Sequence, residues 1–183
     1  LFRSTSPDLR SQLLDARVER VDAVLWTHDH ADHAHGLDDL RAFRYGRAGP
    51  IPAYAAEETA RRLRQRFSYA FAGQHGYPTI MNLENLDRLR MCAGFGVANC
   101  QMPHGPTEST GFRFDCDGKS IVYAVDFSEI TSQMLNLFSG TDVLVVDCLR
   151  SEPHARPHDA RTLLAQLTAM RDAPVPQIGR AHV

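Results

Sequence analysis

Val21-Asp22-Ala23-Val24-Leu25-Trp26-Thr27-His28-Asp29-His30-Ala31-Asp32-His33 is the stretch that decides the fold. Val21 to Trp26 is a short run rich in apolar and β-branched side chains, which predicts a buried strand. Histidines and aspartates follow at once, at the strand's carboxyl end. Four of the chain's nine histidines (His28, His30, His33 and His35) crowd into this one loop. Imidazole and carboxylate are the groups that divalent zinc takes at catalytic sites. In an extended loop, residues 28 and 30 point to one side. Asp32 and His33 lie a turn further on and can serve a second ion. The plain alternative is a solvated His-rich loop or a purification tag, but a tag does not follow a buried strand.

Working outward, Ser6-Pro7 starts a helix well, since Ser can cap it and Pro suits the first turn. Leu9, Leu13 and Leu14 continue it as an apolar stripe to Arg17. Gly36 to Phe43 predicts a short helix, and Ile51 to Tyr54 a strand. Ala56 to Phe67 predicts a basic amphipathic helix whose arginine face is most simply solvated. Val97 to Met102 reads as a strand ending at Pro103-His104-Gly105. Phe112–Cys116 and Ser120–Val125 flank Asp117-Gly118, a strong hairpin signal. A helix from Glu129 to Phe138 leads to the buried strand Val143–Val146, and a last helix is expected from Asp159 to Met170. Strands and helices alternate without repeats or linkers, so the expected class is α/β, in a single domain over residues 1–183.

The chain of 183 residues carries 20 Lys+Arg against 22 Asp+Glu, a net charge of −2. Its hydrophobic fraction of 43% and charged fraction of 23% exclude disorder as the main state. A dedicated nucleic-acid binder would need a basic face, so no nucleic-acid partner is expected. No apolar run approaches the length needed to cross a bilayer, and no membrane partner is expected. Cys92, Cys100, Cys116 and Cys148 are scattered without a CxxC pair, which fits reduced thiols in a cytoplasmic protein. Lys119 is the one lysine among the basic residues, a bias that GC-rich coding DNA explains.

Both ends read as nucleic-acid adapter rather than as protein. Ile178-Gly179-Arg180-Ala181-His182-Val183 can be written ATC GGA AGA GCA CAC GTC, a common sequencing adapter. Leu1-Phe2-Arg3-Ser4 can be written as the reverse complement of that adapter's start. Residues 1–4 and 178–183 are therefore expected to be adapter translation flanking a fragment, and His182 is not counted as a ligand.

The motif HxHxDH at the end of a strand resembles the metallo-β-lactamase superfamily. The resemblance runs along most of the chain: Ser6-Pro7-Asp8-Leu9, Gly36-Leu37-Asp38-Asp39-Leu40, Pro103-His104-Gly105, Val122-Tyr123-Ala124-Val125-Asp126, Val146-Asp147-Cys148-Leu149-Arg150 and Pro157-His158. It is nearest to the branch of the phosphoribosyl cyclic phosphate phosphodiesterase of phosphonate breakdown. The resemblance implies an αββα sandwich, truncated here at both ends, and a dinuclear site. His28, His30 and His104 would hold the first metal, Asp32 and His33 the second, and Asp126 would bridge them. Read alone, His104 would be a capping or core histidine and Asp126 a helix N-cap.

Two divalent ions, zinc in first place and manganese in second, are the implied cofactors. The implied reaction is hydrolysis of a small, cyclic phosphodiester by a metal-bridging hydroxide. Asp32 and His158 are the candidate catalytic side chains, His158 as proton donor to the leaving alkoxide or, alternatively, as a helix cap. Asp147 is expected to orient a ligand histidine. Arg150 could pair with a substrate phosphate or form a surface ion pair, while His154 and His35 are weaker candidates. The family's last histidine ligand lies beyond the natural residues, so the second ion is expected to bind weakly. The same site hydrolyses thioesters and lactones in other branches, and a truncated chain that binds metal without turnover is a further alternative. The expected partner is a small-molecule substrate, with a homodimer left open.

Overall fold

Four short parallel strands organise the first part of the chain: β1 (Phe2–Arg3), β2 (Val24–Leu25), β3 (Ile51–Ala55) and β4 (Met81–Asn85) lie side by side in chain order. The computed structural model describes residues 2–73, 76–147, 167–168 and 177–180. They fall into two compact units, Leu1–Ala93 and Gly94–Val183.

Parallel neighbours need a crossover between them, and in the first unit helices supply it. Between β1 and β2 runs α1 (Leu9–Asp15). Between β2 and β3 come α2 (Ala31–Ala34) and a 3-10 helix, Leu37–Arg44. Between β3 and β4 come α3 (Glu57–Arg66) and α4 (Ser68–Ala72). Leu9, Leu13, Trp26, Leu37, Ile51 and Leu63 share one buried core, to which each crossover contributes a leucine, and Tyr69 and Phe71 of α4 pack against it. Gly36 is required by a close approach. A Cβ there would collide with the Ser6 carbonyl oxygen. The Gly36 N–H instead donates to the Thr5 carbonyl at 3.0 Å.

The arginine face of α3 is exposed at Arg61, Arg64 and Arg66, as expected, but it also binds acceptors of the protein. Arg61 is solvated beside Glu58, but Arg64 donates to the Leu83 carbonyl, and Arg62 and Arg66 reach Asp29. Arg62, Arg64 and Arg66 thus reach buried acceptors while Arg64 and Arg66 stay exposed to water. The strand β4 and helix α4 were not anticipated. Asn82 and Asn85 are poor strand formers, and β4 exists through its ladder with β3, from Ile51↔Met81 to Ala55↔Asn85. After it comes β5 (Met91–Cys92).

In the second unit five strands lie in the order β10-β9-β8-β7-β6. These are β6 (Phe95–His104), β7 (Thr107–Cys116), β8 (Lys119–Ala124), β9 (Val143–Val146) and β10 (Gln177–Arg180). The β6–β7 and β7–β8 pairs are antiparallel, and the other two are parallel. The expected hairpin forms at Asp117-Gly118, where both residues have positive φ (50° and 72°), as a tight primed turn demands. Helix α5 (Ser132–Phe138) begins where Thr131 Oγ1 accepts the Met134 N–H at 3.3 Å. Its Met134, Leu137 and Phe138 pack with Met102, Val122 and Leu144. The helix expected from Asp159 to Met170 lies outside the described residues, apart from Leu167 and Thr168. No helix among the described residues is long and apolar enough to cross a membrane.

Candidate functional site

Beyond β2 the chain stays buried through Trp26, Thr27, His28 and Asp29, then surfaces at His30. His30 has extended dihedrals (φ −63°, ψ 156°) and stands at the N-cap of α2, which carries Asp32 and His33. An extended step followed by one helical turn is the local geometry that gathers this motif. His28 Nε2 lies 3.0 Å from His30 Nδ1. The His28 and His33 rings are 4.4 Å apart between centroids, and His33 Nε2 is 3.2 Å from Asp32 Oδ2. Two ring nitrogens this close share a proton or direct their lone pairs at one cation. His35, at the end of α2, meets the edge of Phe67 instead.

Behind the ring nitrogens runs a chain of hydroxyls. His28 Nδ1 is 3.0 Å from Thr27 Oγ1, which is 3.1 Å from Ser4 Oγ, which is 3.3 Å from His33 Nδ1. A consistent proton order exists for it. With both imidazoles donating from Nδ1 and each hydroxyl accepting, Nε2 is the ligand atom of each ring. That is the tautomer a metal ligand needs, and ligand histidines are commonly held by such a partner. Thr5 adds a second tether: its N–H donates to the His33 carbonyl at 2.7 Å and its hydroxyl to that of Ala34 at 3.1 Å. In turn, Trp26 Nε1 donates to the Thr5 hydroxyl at 3.1 Å. The donor set fits a divalent cation: imidazoles, those of His28 and His33 backed at Nδ1, beside a carboxylate.

The second unit brings His104, Asp126 and Asp147 to one edge of its sheet. β6 and β8 run in the same direction because each is antiparallel to β7, and β9 is parallel to β8. His104 ends β6, and Asp126 and Asp147 follow β8 and β9 closely. Asp126 takes a left-handed backbone (φ 56°), which aspartate tolerates better than most residues. Its carbonyl accepts from Ser109 Oγ at 2.7 Å, and its N–H donates to Asp147 Oδ1 at 3.0 Å. Ser128 ties the same loop to the end of β6, its N–H donating to the Pro103 carbonyl at 2.7 Å. Asp147, expected to orient a ligand histidine, accepts the Asp126 N–H at Oδ1. His158, Arg150 and His154 lie outside the described residues.

The Ser4–Thr27 hydroxyl chain and the buried Asp29 were not read from the sequence. Thr27 and Asp29 carried the signal, since each sits against a histidine inside the motif. Ser4 reaches it only through β1–β2 pairing.

The profile of the Beta-lactamase superfamily domain matches residues 4–175. The chain belongs to the metallo-β-lactamase superfamily. Its α/β fold is that of the superfamily. A solved diphosphatase of the PhnP family is 30% identical, with a TM-score of 0.77 over 92% of this chain and 63% of that one. The octanoyltransferase of Porphyromonas gingivalis is 29% identical over 79% of this chain but only 29% of its own length. Ribonuclease J of Thermus thermophilus is 27% identical over 66% of this chain and 21% of its own. The chain thus spans less than a third of these two curated relatives. Metallo-β-lactamase superfamily members are hydrolases, and the His/Asp cluster on α2 and the loop before it is the part of this member suited to a divalent metal.

Proposed function

We propose that this chain is the metal-binding core of a phosphodiesterase that hydrolyses a small phosphodiester. The observation that carries it is the pair of facing nitrogens, His28 Nε2 and His30 Nδ1, with His28 Nδ1 backed by Thr27. Likeness to a diphosphatase and to a ribonuclease, both named for cleaving phosphorus–oxygen bonds, supports phosphorus as the electrophile.

We assign His28, His30 and His104 to one ligand group and His33 and Asp126 to a second, as the family resemblance implies. We assign Asp32 to the second group, beside His33. Zinc suits the imidazole-rich set, and manganese is the alternative. Two bound divalent ions lower the pKa of water toward neutrality and draw charge from phosphoryl oxygens. The chain's own part is positional. Thr27 holds the His28 imidazole in one tautomer, and Asp147 and Ser109 hold Asp126 in its strained backbone. His158 is assigned the proton transfer to the leaving oxygen.

The test is hydrolysis of bis(p-nitrophenyl) phosphate and of a ribosyl cyclic phosphate by the chain loaded with zinc or manganese. Asp126→Asn is the control, because asparagine tolerates the left-handed backbone while losing the carboxylate. Metal-dependent turnover that falls about 100-fold in Asp126→Asn is expected, a loss in line with removal of a group that acts on the transition state. Metal uptake with thioester hydrolysis and no phosphodiester cleavage would overturn the proposal. His158→Ala should slow a poor alkoxide leaving group far more than p-nitrophenolate, which needs no proton.

A further inference from the structure

Asp29 is the residue of the motif that the proposed chemistry leaves unused, and its burial is unusual for a charged group. Its side chain is only 3% exposed. A lone carboxylate in that position would carry a large desolvation penalty. Two arginines of α3 offset it. Arg66 Nη2 lies 2.9 Å from Oδ2, and Arg62 Nη1 lies 3.4 Å from Oδ1. Arg66 also donates from Nη1 to the Asp29 backbone carbonyl at 2.6 Å, so one guanidinium grips main chain and side chain together. Oδ2 accepts no hydrogen bond among the described residues, so Arg66 holds it as a charge rather than through an aligned N–H. Arg62 is fixed in turn, its Nε donating to Glu58 Oε1 at 2.8 Å.

The place of this grip matters more than its strength. Asp29 stands between His28 and His30, and in extended chain alternate side chains point to opposite sides. Pulling Asp29 toward α3 therefore presents the two histidines together on the other side. An uncharged residue would meet the steric needs of this buried position without the desolvation cost.

We propose that Asp29 is a positioning residue: clamped by Arg62 and Arg66, it holds His28 and His30 at the separation that one metal ion requires. This rests on the proposed metal-dependent function and deepens it. The clamp reaches the ion only through the backbone of residues 28–30, and touches no reacting atom.

The experiment compares the full chain with Asp29→Asn, Arg66→Lys and the double variant Asp29→Asn/Arg66→Gln. Zinc affinity is measured by competition with a chromophoric chelator, alongside the visible spectrum of the cobalt form and the melting midpoint of the metal-free form. Asp29→Asn should weaken the tighter zinc by about 10–100-fold, the range for losing a group that orients a ligand. Arg66→Lys keeps the charge but loses the two-point grip. It should melt near the parent and still bind zinc several-fold more weakly, with shifted cobalt bands. The double variant leaves no orphaned charge, so it should recover melting stability without recovering zinc affinity.

Parent-like zinc affinity and cobalt spectra in Arg66→Lys and the double variant would overturn the positioning role. So would a double variant in which affinity returns along with stability. If Asp29→Asn does not fold, Arg66→Lys decides. A parent chain that takes up no zinc would instead overturn the metal-dependent function on which the clamp rests.

Discussion

Thr27 is fully buried, and its hydroxyl has the Nδ1 of His28 on one side and the Ser4 hydroxyl on the other. Thr27→Val keeps the shape and removes that link. It should weaken zinc binding about 10-fold, because the imidazole loses the partner that sets its tautomer. A chelator competition measures the affinity, and nitrogen chemical shifts of His28 report the tautomer. A second residue-level effect belongs to Cys100, whose thiol burial pushes from the ordinary 9.0 up to about 11. Between those values the unfolded chain ionises this thiol while the folded chain does not. Stability from this group is therefore whole below pH 9.0 and declines as pH rises toward 11. Melting midpoints across that alkaline range should fall less steeply in Cys100→Ala than in the parent.

At the scale of elements, the turn that joins α2 to the following 3-10 helix is set by Gly36. In Gly36→Ala the new methyl would meet the Ser6 carbonyl and sit 3.0 Å from the Leu9 Cβ, so the backbone must give way. A loss of about 1–3 kcal/mol is expected, as for other overpacked sites, and urea unfolding would read it. Since Thr5 accepts from Gly36 and donates to His33, the same change should also weaken zinc binding. Arg113 provides the contrast. Its Nη1 donates to the carbonyls of Leu137 and Ser139 at the C-terminal end of α5, at 3.2 and 2.6 Å. Arg113→Ala leaves those carbonyls without a cation and should cost about 1–2 kcal/mol, with zinc affinity unchanged.

For the whole molecule, a ligand that binds only the folded state stabilises it by mass action. Zinc at 100 times its dissociation constant should add about 2.7 kcal/mol, seen as a raised unfolding midpoint.

The sequence by itself determined the element types and the local half of the candidate site. Val143–Val146 occurs where its apolar run predicts a strand, the Asp117-Gly118 hairpin forms at its turn residues, and HxHxDH follows a buried strand. Those features are legible because hydrophobic period, turn chemistry and motif spacing act within a few residues of chain. Only the tertiary structure decided the rest. β4 is a strand because β3 offers it a ladder, against the preference of its own asparagines. Arg62 and Arg66 reach a buried aspartate because α3 packs beside the loop of residues 28–30, more than thirty residues away in sequence. Ser4 meets His33 because β1 pairs with β2. Such partners are chosen by the packing of distant segments around a shared core, and no local pattern in the chain encodes which buried group will need them.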